Sequence, residues 1–177
     1  MRILSTIVVL GAAWTGSLAP AWAVAGCDAF TNALRAEASD MQVELGRAVV
    51  VSRTRSDSNV FDITTRVDVD GTLSCRGDQF VRFEARISEP ANARTTTNFE
   101  RLQAAALKAA LGWDAGKSRG ILHGMSADAA EYLAASRQRG DVYVAGKTEE
   151  HVPGGVSLGL MATGSDRTFV IVGPAGQ

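Results

Sequence analysis

The stretch 60-VFDITTRVDVDGTLSCRGDQFVRFEARI-87 decides the fold. In it Phe61, Ile63, Val67 and Val69 alternate with Asp62, Thr64, Arg66 and Asp68, and Val81, Phe83, Ala85 and Ile87 alternate with Arg82, Glu84 and Arg86. A period of two places every apolar side chain of a strand on one face and every charge on the other, which is the signature of half-buried antiparallel strands. Asp70-Gly71 stands between two such runs, and a type I′ hairpin turn needs the positive φ that Asp tolerates and Gly allows freely. Upstream, Val43, Leu45, Val49 and Val51 share one parity, interrupted by Arg47. Residues 43–88 therefore predict an antiparallel meander with one wet face of mixed charge.

Outside the meander the period lengthens. Asp28 is placed to cap a first helix from Ala29 to Ser39, with Phe30, Ala33 and Leu34 on one side. After Pro90, Thr97-Asn-Phe-Glu100 fits a capping box. Phe99, Leu102, Ala106, Ala110 and Trp113 then recur at helical spacing, and Gly112 is placed to stop the helix. A third helix is predicted from Ser126 to Gly140, with Asp128 and Glu131 early and Arg137 and Arg139 late, a charge order that suits the helix dipole. Residues 113–125 read as the loop between these helices. Strands return at 141–146, 156–162 and 167–172, joined by a short turn at 163–167 and a longer loop at 149–155. The expectation is an α+β domain: an antiparallel sheet, meander plus C-terminal strands, with about three helices packed on one face.

The N-terminus predicts where that domain works. Met1-Arg2 supplies positive charge, Ile3 to Ala13 is an almost unbroken apolar stretch of eleven residues, and Pro20 precedes a small-x-small site at Ala21-Trp22-Ala23. That pattern is a secretory signal peptide over 1–23, too short to span a bilayer, followed by a single exported domain over 24–177 in the periplasm or outside the cell. Val24-Ala25-Gly26-Cys27 also reads as a lipobox, and a lipid-anchored envelope protein held through Cys27 is the alternative. Cys27 and Cys75 are the two cysteines, 48 residues apart, and an oxidising compartment predicts a disulfide between them. No membrane span is expected in the mature chain. Removing Arg2 from the 18 basic residues leaves 17 against 19 acidic ones, a formal −2, so no nucleic-acid partner is expected.

Several motifs invite a chemistry that their context withholds. Gly116-Lys117-Ser118 resembles the end of a phosphate loop, yet Leu111 stands where the loop needs its first glycine. Arg66-Val-Asp68-Val-Asp70-Gly71 echoes a calcium loop, but Arg66 and Gly77 occupy positions that need carboxylates. His123 lies three residues before Ser126, and His151 lies among acidic neighbours, so a small hydrolase with a histidine base is a second alternative. Neither a G-x-S-x-G elbow nor an orienting third group accompanies them. Trp113, Tyr132 and Tyr143 are read as core, with a ligand pocket between helices and sheet as the functional option. The irregular stretch 147-KTEEHVPGG-155 gathers Lys147, Glu149, Glu150 and His151 and is the candidate binding loop. No cofactor or metal is expected. The leading reading is a non-enzymatic module of the cell envelope that binds a protein or a small molecule there.

Overall fold

A computed structural model describes residues 26–43, 45–53, 58–65, 68–141 and 145–176. The predicted leader, Arg66, Val67 and Tyr143 lie outside them. Helix α1 (Cys27–Asp40) leads into four strands, β1 (Leu45–Arg53), β2 (Ser58–Thr65), β3 (Asp70–Arg76) and β4 (Gln79–Ser88). Two helices follow, α2 (Ala93–Leu111) and α3 (Ala115–Arg139), then β5 (Ala145–Val152), β6 (Val156–Thr163), β7 (Asp166–Val172) and a short 3-10 turn at Pro174–Gly176.

The strands form one antiparallel sheet in the order β1-β2-β3-β4-β7-β6-β5. The chain lays down a four-stranded meander, crosses through α2 and α3 to the far edge, and returns inward until β7 pairs with β4. Register explains the core. Leu73, Phe83, Ile171 and Leu158 stand opposite one another across four strands, and so do Gly71, Ala85, Phe169 and Leu160 in the next row. All eight are buried. Each helix touches residues of this parity: Phe30 of α1 packs on Phe83 with ring centroids 5.5 Å apart, Thr96 of α2 accepts a hydrogen bond from Arg167, and the α3 backbone sits against Gly146. Lys108 of α2 and Glu37 of α1 pair at 2.6 Å across the helical layer.

The expected disulfide is present. Cys27 at the start of α1 is bonded to Cys75 in β3, and Cys27 N donates to the Asp78 carbonyl at 2.6 Å, so the first turn of α1 is fastened to the β3-β4 hairpin.

Local chemistry moved several boundaries. The β2-β3 reversal does not use Asp70-Gly71, because Thr64 pairs with Asp70 and Ile63 with Gly71 inside the ladder. The chain turns earlier, around Asp68 with φ 39°, where Thr65 Oγ1 donates to the Val69 carbonyl at 2.8 Å. Gly71 is needed for a different reason: a Cβ there would meet Ile63 O at 2.9 Å and Ile63 Cβ at 3.1 Å. In β4 a bulge sets Ser74 opposite Arg82 and Cys75 opposite Phe80, leaving Val81 over. Phe80 rather than Val81 therefore turns inward, onto Phe30 at 4.7 Å.

Helix starts moved most. Gly26 precedes α1, and Asp28 lies in its first turn, where its charge still complements the dipole. Asn92, not Thr97, caps α2, its side chain accepting from Thr95 N at 2.9 Å. Asp114 caps α3 by accepting from Lys117 N at 2.8 Å, so Gly116-Lys117-Ser118 is the first turn of a helix rather than a loop, and Ser126 is mid-helix. Both expected stops hold: Gly112 and Gly140 take the left-handed conformation, φ 65° and 70°.

Candidate functional site

Residues 147–155 are not a loop. Lys147 to Val152 belong to β5, an edge strand, and only Pro153-Gly154-Gly155 makes the turn. Strand alternation then divides the candidate residues. Glu150 stands opposite Leu158 in a core row, whereas Lys147, Glu149 and His151 stand opposite Met161, Gly159 and Ser157 on the other face of the sheet. That open face was not foreseen as one surface. Its rows run Asp70, Arg86, Thr168, Met161, Lys147; then Thr72, Glu84, Val170, Gly159, Glu149; then Ser74, Arg82, Val172, Ser157, His151.

Its long side chains are paired in the plane of the sheet. Arg82 bonds Glu84 at 2.6 Å, Arg86 bonds Asp166 at 3.0 Å, and Lys147 lies 3.4 Å from Glu149. Between them the missing side chain of Gly159 leaves a groove of about 280 Å³, whose walls include Arg82, Arg86, Lys147, Met161 and Val170. Across Glu84 and Arg86 it adjoins a second depression of about 360 Å³ lined by Asp62, Asp70 and Thr72. The combined trough is thus cation-rich at one end and carboxylate-rich at the other.

Gly159 is the informative residue. Two other strand glycines, Gly71 and Gly146, are demanded by close backbone contacts, but a Cβ on Gly159 would meet nothing nearer than Val170 Cβ at 3.9 Å and Thr148 O at 4.0 Å, ordinary contact distances. The fold would accept alanine there. A glycine inside a strand weakens it, and contacts among the described residues do not require this one on an inner strand.

Asp166 steadies the rim. Its carboxylate accepts from Ser165 Oγ at 2.8 Å and Thr163 Oγ1 at 3.1 Å and faces Arg86, and these contacts, the Ser165 hydrogen bond first, hold it below the ordinary 3.8. A lowered carboxylate contributes stability that is complete above about pH 4 and is lost as pH falls through the lower folded-state value. Thermal stability is therefore expected to fall less steeply below pH 4 in Asp166→Asn than in the parent. Identical acid limbs would remove Asp166 from the account.

Among the described residues neither histidine forms a Ser-His-carboxylate triad. His151 Nδ1 lies 3.0 Å from Ser157 Oγ, but Ser157 is buried and no carboxylate among the described residues bonds the ring. His123 and Ser126 are both exposed on α3 and share no hydrogen bond. Asp68 and Asp70 are exposed, and among the described residues no three His, Cys, Asp or Glu side chains gather to hold a metal ion. Trp113 is half-buried with Lys117 Nζ 4.2 Å from its ring centroid, and Tyr132 is 58% exposed.

A cleft does exist between helices and sheet, with other residues. It measures about 410 Å³, with α3 on one side and β6 and β7 on the other, and Glu89, Arg137 and Arg167 are polar parts of its lining. No described helix is long and apolar enough to cross a membrane. Comparison with protein-family models, with curated proteins and with solved structures finds no match to this chain.

Proposed function

We propose that this protein is an exported domain of the cell envelope that binds an extended segment of another protein on the open face of its sheet. Export is supported by the leader pattern at 1–23 together with the disulfide, a bond that persists in oxidising compartments. The same disulfide favours a free domain over a lipid-anchored one, since a lipid would have to occupy the Cys27 sulfur.

Gly159 carries the binding reading, and the bipolar trough gives the partner its chemistry: a backbone able to lie low over Gly159 and side chains of both signs along it. Lys147, Glu149 and His151 border that surface, and Glu150 does not.

The test separates binding from folding. Gly159→Phe is expected to unfold within about 1 kcal/mol of the parent, because its side chain fills the surface groove rather than entering the core. In envelopes of the native host, a partner cross-linked through the open face of the parent is expected to be lost with Gly159→Phe. Unchanged cross-linking by the folded variant would sink the proposal.

A further inference from the structure

We propose that the cleft between α3 and the β6-β7 hairpin binds a small amphipathic acid, an aliphatic chain ending in a single carboxylate. The site lies on the opposite side of the sheet from Gly159 and does not depend on the protein-binding reading.

Its walls are apolar and small. Ala129, Ala130 and Leu133 on α3 face Leu160 and Ala162 on β6, and the short alanine side chains leave the space open. At about 410 Å³ the cleft lies within the range for small-molecule sites, and its lining of aliphatic side chains without an aromatic ring suits an aliphatic chain.

The lining supplies the charge preference. Arg167 is already engaged, its Nε donating to Glu89 Oε1 and a terminal nitrogen donating to Thr96 Oγ1 at 3.3 Å. Arg137 lines the same cleft with no carboxylate in ion-pairing distance among the described residues. Two guanidiniums against one carboxylate leave the lining with one positive charge in excess, and the unpaired one stands at the C-terminal turn of α3. An anion placed against Arg137 completes a pair without displacing Glu89. Ser126 and Thr163 add hydroxyls to the lining. Among the described residues the arrangement is an apolar slot with one unpaired cation, and the ligand that complements it is an apolar chain with one anionic end.

The probe is decanoate, titrated below its micellar concentration into the 15N-labelled mature domain with its disulfide intact. Saturable shifts are expected at Ala130, Leu133, Leu160 and Gly164. Arg137→Glu and Ala130→Trp are each expected to weaken binding at least about tenfold, and decanol is expected to bind at least about tenfold more weakly than decanoate. Both substituted positions are exposed on α3, and an unchanged melting temperature verifies the fold. Three results would overturn the proposal: no saturable shifts, equal binding of decanol and decanoate, or shifts confined to the open face around Gly159. The last would leave the protein-binding reading standing, and loss of that reading would not touch this one.

Discussion

Gly146→Ala is expected to destabilise the domain by roughly 3 kcal/mol or more, although it adds one methyl group. Gly146 lies in β5 opposite Ala162, under α3. A Cβ built there falls 1.8 Å from the Ala129 carbonyl oxygen and 2.8 Å from both Ala129 C and Leu133 N. All three are helix backbone, so no rotamer relieves the clash. The helix has to retreat until that separation passes 3.0 Å, the distance below which real Cβ atoms essentially never come, and Ala129 and Met125 must lose contacts with the sheet as it does. Gly124→Ala is the matched control, since it lies in α3 and its Cβ would have nothing within 4 Å. There the same change is expected to stabilise by about 0.5–1 kcal/mol through helix propensity. Urea unfolding of the two variants reads both signs, and comparable stabilities would mean that α3 does not rest on Gly146.

The second large effect belongs to the disulfide. Closing a chain segment of 48 residues restricts the unfolded ensemble by roughly 4 kcal/mol in the chain-entropy model, and measured losses for native bridges fall at about 2–5 kcal/mol. The double variant Cys27→Ser, Cys75→Ser is expected to fold, because Phe30, Leu34 and Ala38 still bury α1 and Lys108 still reaches Glu37. Its unfolding free energy should drop by that amount, and reduction of the parent should reproduce the drop. A change below about 1 kcal/mol would show that the bridge contributes little beyond the core it crosses.

The meander was legible because its inward residues are large and its outward ones charged: Ile63, Leu73, Phe83 and Ile87 announce a period of two that no helix shares. Helix ends were legible where one residue type has one physical role, as at Gly112 and Gly140. Asp70-Gly71 misled because a glycine that lets a neighbouring strand approach looks the same in sequence as one that turns the chain. The first half of α3 was hidden by Gly116, Gly120 and Gly124, and by a buried side that begins with the polar Ser118. The β4 bulge, which exchanges Phe80 for Val81, has no local signature at all.

The candidate site shows the same division. The charges of β5 read as a loop because an edge strand has a solvated side, and charges there also protect the edge from pairing with other chains. Lys147, Glu149 and His151 were found in sequence, but their neighbours Arg82, Arg86 and Met161 were not, since strand order brings them together from three segments. Gly159 could be told from the other glycines only by what a side chain there would meet.

The most direct measurement is the intact mass of the protein made with its own N-terminus in a native-like host, after separating periplasmic and membrane fractions, with and without reductant. The account predicts a periplasmic form that begins at Val24 and gains two hydrogens on reduction. A cytoplasmic chain that keeps residues 1–23 and two free thiols, or a membrane form with a lipid on Cys27, would contradict it.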